Sequence, residues 1–192
     1  MTFEEGFQVS SEIHQTSHRL TRRPCVAVIG ASQCSPRLAQ LAEEVGEGIA
    51  NLPADLVCGG LGGVMEAAAR GAKRGGARTI GLLPGIHKEA ANPFIDIVLP
   101  TGLGQARNVL VVLAADVVVA VGGELGTLSE LSLALKHGIP VVGVDTWPVE
   151  GWLEDPSIPF SQTKDPQEAL RIVRQWLTSG LPPRGVRGAE TT

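Results

Sequence analysis

Short apolar runs rich in valine alternate with longer segments of helical periodicity along most of this sequence. The first run, at 25–30, ends in glycine, which is typical of a buried strand that leads into a turn. Across 36–50, apolar residues recur at spacings of three and four, which indicates an amphipathic helix. Because neighbouring parallel strands need crossover connections and helices fill them, this alternation predicts a Rossmann-like, doubly wound α/β fold, with a mainly parallel sheet and helices on both faces.

The same alternation continues towards the carboxyl end of the chain. Further strands are predicted at 55–58, 79–83, 95–99, 117–121 and 141–144, and further helices at 63–74, 103–114, 127–136 and 166–177. The segment 147–163, rich in proline and acidic residues, is predicted to be a surface loop. A chain of 192 residues is long enough for one well-buried core and too short for two ordinary domains. We therefore expect one nucleotide-binding domain over 24–179, a flexible amino-terminal arm over 1–23 and a flexible tail over 180–192.

Charge and cysteine content narrow the classes of function. The formal net charge of −4 offers no basic surface for a nucleic-acid polymer. The polar first 23 residues contain no apolar stretch long enough for a signal peptide or a membrane span, which favours a cytoplasmic protein with no membrane partner. Cys25, Cys34 and Cys58 form no CxxC pair and no zinc-like spacing with the histidines. We expect them to be free thiols, and we expect no metal site.

The first glycine-rich loop lies between a predicted strand and a predicted helix. It contains Gly59, Gly60, Gly62 and Gly63. Glycines let the backbone approach a ligand closely, and the amides at a helix start attract an anion. A tight turn that serves packing alone is the alternative, but four glycines in five positions favour a ligand.

The second glycine-rich loop has the same placement, after the strand at 117–121. It contains Gly122, Gly123 and Gly126, followed by Thr127, whose hydroxyl can bind a phosphate. Alternatively, Thr127 and Glu130 form a capping box at the helix start. Both loops follow parallel strands at their carboxyl ends, so we expect one shared crevice for a small phosphorylated ligand. Neither loop has the lysine of GxxxxGK[ST], and the first strand is not followed by GxGxxG.

The stretches GGLGGVMEAAARGA at 59–72 and GGELGTLSE at 122–130 resemble those of the cytokinin-activating nucleoside 5′-monophosphate phosphoribohydrolases, the LOG or "lysine decarboxylase-like" family. The resemblance covers 24–148, and the family motif is PGGxGTxxE, whose terminal glutamate falls on Glu130. It implies that Arg107 and Glu130 are the catalytic pair, that Arg107 keeps Glu130 ionised, and that Met65 and Asn108 are possible substrate contacts. It also implies a homodimer that needs no cofactor and hydrolyses the N-glycosidic bond of a nucleoside monophosphate, releasing base and ribose 5-phosphate.

Three positions depart from the family pattern. Val121 stands where the motif has proline, Glu124 adds a charge beside the proposed phosphate site, and Glu66 replaces a small residue. These departures resemble the branch that includes molybdenum-cofactor carrier proteins. They imply an alternative function, a carrier or binding protein that holds molybdenum cofactor or another phosphorylated ligand without turning it over.

Overall fold

The computed structural model describes residues 22–153 and 158–179. They form a seven-stranded sheet with five α-helices. The strands are β1 Cys25–Gly30, β2 Asp55–Cys58, β3 Thr79–Leu83, β4 Ile97–Pro100, β5 Val117–Val121, β6 Val141–Val144 and β7 Phe160–Thr163. The helices are α1 Pro36–Ala50, α2 Val64–Arg74, α3 Asn108–Leu113, α4 Leu125–Lys136 and α5 Pro166–Ser179.

The sheet has the order β4-β3-β2-β1-β5-β6-β7, and every neighbouring pair is parallel. Successive residues of a strand point to opposite faces, so the central strand β1 contributes to two core layers. Val26 and Val28 pack with α1, α2 and α5, whereas Ala27 and Ile29 pack with α3 and α4. The predicted Rossmann-like, doubly wound fold is therefore confirmed.

The region 147–163, predicted as a loop, contains the edge strand β7, so that prediction was wrong. Val141 pairs with Phe160 and Val144 with Thr163. All four β7 residues are only half-buried, and three of them are polar, because an edge strand packs against one neighbour only. Such a strand shows no apolar run in the sequence.

Two helix starts also differ from the prediction. The helix predicted at 103–114 is a 3-10 turn, Gly104–Arg107, followed by the short α3. Helix α4 begins at Leu125, two residues before the predicted start, and Glu124 is its N-cap residue without a side-chain capping bond. Thr127 therefore lies inside the first turn, and the alternative of a capping box formed by Thr127 and Glu130 is wrong.

The first two described residues, Arg22 and Arg23, form ion pairs at the edge of the sheet where β1, β2 and β5 begin. Arg22 pairs with Asp116 at 2.5 Å, and Arg23 pairs with Asp55 at 2.9 Å. Both arginines were assigned to the flexible arm. The rest of that predicted arm, and the predicted tail at 180–192, lie outside the described residues.

Candidate functional site

Both glycine-rich loops lie at the carboxyl edge of the sheet, on either side of β1. The first loop follows β2 and the second follows β5, and these are the two strands that pair with β1. The chain proceeds from β1 towards β4 and then returns to β5, so the strand order reverses at β1 and β5. Open α/β sheets bind ligands in the crevice at such a point. The two loops therefore lie where such a crevice is expected.

The first loop, 59–63, is closed by packing. Gly63, the N-cap residue of α2, has a φ of 63°, and a Cβ atom there would overlap the backbone of Ala31 and Ser32. The Val64 amide donates to the Ala31 carbonyl at 3.0 Å. From the other side, the Asn92 side-chain amide donates to the Leu61 carbonyl at 2.8 Å. The glycines of this loop thus permit close approach of neighbouring backbone.

The second loop, 122–126, is open at its tip. Gly122 is buried, and its amide donates to the Val144 carbonyl at 3.0 Å. The next four residues are exposed, and an ideal Cβ on Gly126 would have no neighbour within 4 Å. The N-cap residue Glu124 makes no side-chain capping bond, and the first backbone bond of α4 runs from the Leu128 amide to the Glu124 carbonyl. The first amides of a helix have no partner within the helix, and at 125 and 126 they belong to exposed residues.

The predicted catalytic residues Arg107 and Glu130 are brought together below the two loops. Arg107 Nη1 lies 3.8 Å from Glu130 Oε1, and the two residues are 5% and 7% exposed. The Arg107 guanidinium lies so close to Gly59 that a Cβ there would overlap it. The pair thus connects the first loop with α4, and it is covered by protein.

Burial controls the charges of this pair. It raises the pKa of Glu130 to about 7, although the Arg107 charge acts in the opposite direction. Burial also lowers the pKa of Arg107 from its ordinary value, against the opposing effect of Glu130. The thiol of the fully buried Cys58, near both charges, has its pKa raised to about 11, mainly by burial. The expectation that Arg107 keeps Glu130 ionised is corrected, because a pKa of about 7 leaves much of Glu130 protonated at neutral pH.

The other predicted site residues outside the glycines differ in their burial. Thr127 is 2% exposed and its hydroxyl has no hydrogen-bond partner among the described residues. Leaving such a group unpaired costs about 1–3 kcal/mol, which a ligand or a water molecule can offset. Met65 is 6% exposed and belongs to the core layer of α1 and α2. Asn108, half-buried, is the first residue of α3.

Sequence reasoning missed two further polar groups without a partner among the described residues, both beyond the end of β6. Thr146 Oγ1 and Trp147 Nε1 are buried and have no hydrogen-bond partner among the described residues. Trp147 packs against Gly123 of the second loop. The signal available in the sequence was the position of these residues directly after a buried parallel strand, at the edge where ligands bind.

Metal ligation and membrane insertion find no support in the part of the chain that the structure describes. Within 22–153 and 158–179, no three His, Cys, Asp or Glu side chains are grouped so as to hold a metal ion. The helices within these same ranges are too short or too polar to cross a membrane.

Comparison with known proteins agrees with this architecture. The model of the SLOG cluster4 family matches residues 23–175. The chain belongs to the SLOG cluster4 family. This membership confirms the expected relation to the LOG-like superfamily at the level of SLOG proteins, whereas the particular branch stays a prediction.

Individual relatives of this SLOG protein include one sequence and several solved structures. An uncharacterized protein of Archaeoglobus fulgidus is 46% identical over 113 residues, which are 59% of this chain and 74% of that protein. The molybdenum cofactor binding protein of Rippkaea orientalis is 35% identical, with a TM-score of 0.77 over 82% of this chain and 99% of its own. The molybdenum cofactor carrier protein of Chlamydomonas reinhardtii is also 35% identical, with a TM-score of 0.75 over 81% and 99%.

Proposed function

We propose that this SLOG protein is a carrier that holds molybdenum cofactor, or a phosphorylated ligand of the same kind, without turning it over. The observation that carries this proposal is the contrast in exposure within the crevice. Residues 123–126, at the start of α4, are exposed, whereas Arg107 and Glu130 are 5% and 7% exposed. A carrier needs the amides for the ligand phosphate and does not need an accessible carboxylate.

The solved structures support the same conclusion. Two of them, each 35% identical to this chain, are described as a binding protein and a carrier protein for molybdenum cofactor. In this chain, the cofactor's phosphate would lie at the amides of 125–127, to which the N-cap residue Glu124 makes no side-chain capping bond. Glu124 is exposed at this helix start, so its charge weakens anion binding without blocking the site.

A direct binding experiment tests the carrier function. Molybdenum cofactor released anaerobically from a molybdoenzyme is mixed with the purified protein, and bound pterin is quantified by fluorescence after gel filtration and oxidation. Gly126→Asp should weaken binding at least about tenfold, because its carboxylate competes for the helix amides. Gly126→Ala is the matched control, since the space beside Gly126 is empty. Failure of the wild-type protein to retain cofactor would refute the proposal.

The second candidate is the phosphoribohydrolase activity, and the 3.8 Å approach of Arg107 to Glu130 favours it. In that reaction a water oxygen bonds to C1′ of the ribose while the bond to the base nitrogen breaks, and the base leaves with a proton. An ionised Glu130 would stabilise the oxocarbenium-like transition state or orient the water. This role requires movement that uncovers Glu130.

Nucleotide turnover separates the two candidates. Purified protein is incubated with AMP, GMP and an N6-substituted AMP, and free base is followed by chromatography beside Glu130→Gln and an Arg107→Ala, Glu130→Ala double variant. For a carrier, we expect no base release and unchanged cofactor binding by Glu130→Gln. Base release by the wild type that both variants abolish would establish the hydrolase. The homodimer and the cytoplasmic location stay predictions from the resemblance and the sequence.

A further inference from the structure

Only three residues, 122–124, connect β5 to α4 in the second loop, and the first of them is fixed by β6. The Gly122 amide donates to the Val144 carbonyl at 3.0 Å. The φ of Gly122 is 67°, which glycine adopts without strain. A Cβ atom there would also lie 2.9 Å from Leu38 Cδ1 of α1. Position 122 therefore requires glycine for its own backbone conformation.

Gly123 is glycine for a different reason, which is the indole ring of Trp147. The φ of Gly123 lies outside the left-handed region, so other residues can adopt its backbone conformation. A Cβ atom on Gly123 would overlap Nε1 of Trp147 and lie 2.7 Å from Cδ1 and 3.1 Å from Cε2. These are three consecutive atoms of the five-membered ring, so the Cβ atom would lie over the face of the ring. The backbone at position 123 thus rests directly on this face.

The segment that carries Trp147 is itself held by the edge strand β7. The Asp145 amide donates to the Thr163 carbonyl at 2.9 Å. The Gln162 side-chain amide donates to the Thr146 carbonyl, also at 2.9 Å. The indole ring packs in addition on the core layer of α3 and α4. β7 and this core layer therefore fix the ring on which the second loop rests.

We propose that Trp147 is a positioning residue of the phosphate site, and that its ring face sets the place of Gly123 and thereby the direction of the first amides of α4. This inference rests on the proposed function, because it concerns the same phosphate site. Only Glu124, the N-cap residue, separates Gly123 from the helix, so a shift at Gly123 reaches these amides. A site held in place binds more tightly than one that must be ordered on binding. Support by the ring therefore contributes to phosphate affinity.

Single variants at the ring give the first test. Inorganic phosphate is titrated into the purified full-length protein by isothermal titration calorimetry, and urea denaturation establishes that each variant is folded. Trp147→Leu should weaken phosphate binding about tenfold, because it removes the flat surface below Gly123. Trp147→Phe keeps a flat ring there and should stay within about threefold of the wild type. The matched control is Trp176→Leu, in the core layer on the other face of the sheet, which should bind phosphate as the wild type does.

A double variant tests the contact between the ring and the loop. Gly123→Ala should also weaken phosphate binding about tenfold, because its Cβ atom would displace the loop from the ring. When Trp147→Leu is added, the ring no longer occupies this space, so the double variant should bind no more weakly than Trp147→Leu alone. Two residues that act independently would instead weaken binding about a hundredfold together. A role of Trp147 in stability alone would leave the phosphate affinity of the folded protein unchanged.

The possible outcomes separate this inference from the proposed function. Unchanged phosphate affinity of Trp147→Leu or of Gly123→Ala, equal losses for Trp147→Phe and Trp147→Leu, or independent losses in the double variant would each overturn the inference and leave the phosphate site standing. Should Trp147→Leu fail to fold, the affinities of Gly123→Ala and Trp147→Phe decide in the same way. If the wild-type protein binds no phosphate, both the inference and the phosphate site are refuted.

Discussion

The two glycine-rich loops have similar sequences and similar places after parallel strands, and neighbouring protein packs closely on glycines of both, yet Gly126 of the second loop faces open space. In the first loop, backbone from the β1–α1 connection fills the space beside Gly63, and the Arg107 guanidinium fills the space beside Gly59. In the second loop, the space beside Gly126 is empty. A glycine-rich sequence therefore indicates close approach, and the structure decides whether the neighbour is protein or ligand.

The largest expected effect is a difference in protein stability between glycine substitutions in the two loops. Gly63→Ala should lower the free energy of unfolding by about 3 kcal/mol or more, because alanine tolerates a φ of 63° poorly and its Cβ would overlap backbone that cannot move freely. Gly126→Ala should change it by less than about 1 kcal/mol, in the stabilising direction. Urea denaturation of both variants measures the difference, and equal losses would show that the loops do not differ in this way.

A change in stability of similar size is expected from the buried carboxyl group of Glu130. The pKa of Glu130 is raised from 4.5 to about 7, so the folded state holds this proton more tightly than the unfolded state. The resulting stabilisation is complete below pH 4.5 and is lost as the pH rises through about 7. The wild type should therefore lose about 3 kcal/mol relative to Glu130→Gln across this range.

Urea denaturation of the wild type and Glu130→Gln at a series of pH values tests this prediction. The comparison with Glu124→Gln is the control, because Glu124 is an exposed glutamate in the second loop. That variant should follow the wild-type pH dependence. Parallel curves for the wild type and Glu130→Gln would show that burial does not raise the pKa of Glu130.

The smallest expected effect concerns the charge at the open loop. Glu124→Gln removes an exposed negative charge at the start of α4, and phosphate affinity should rise about two- to fivefold at low ionic strength. Added salt should reduce this gain. Isothermal titration calorimetry at two salt concentrations is the measurement, and an unchanged affinity at low salt would show that the phosphate binds elsewhere.

The central strands of the sheet could be predicted from the sequence. The edge strand β7 and the charge states of Arg107 and Glu130 could not. β5, the run Val117–Val121, is fully buried and apolar throughout, so its pattern identifies it. β7 has one partner strand and half-buried residues, so its pattern resembles that of a loop. The sequence around Thr127 is typical of a helix cap, whereas α4 begins at Leu125 with Glu124 as its N-cap residue.

The burial of Arg107 and Glu130 could also not be predicted from the sequence. The resemblance identified the two residues, but their exposure depends on how the 3-10 turn Gly104–Arg107 and α4 pack against the first loop. The raised pKa of Glu130 follows from that packing. Trp147 was missed for the same reason, because the absence of an acceptor becomes visible only in three dimensions.

The strand order also has a consequence for biosynthesis. Among the described strands β1 is made first, but its register with β5 pairs Val26 with Val117, so its second edge stays unpaired until a segment made much later is available. Such non-local pairing is slow and leaves an apolar edge uncovered in the meantime. On the ribosome, β1–β4 can associate early, whereas the two glycine-rich loops come together only after β5 and α4 have emerged from the exit tunnel.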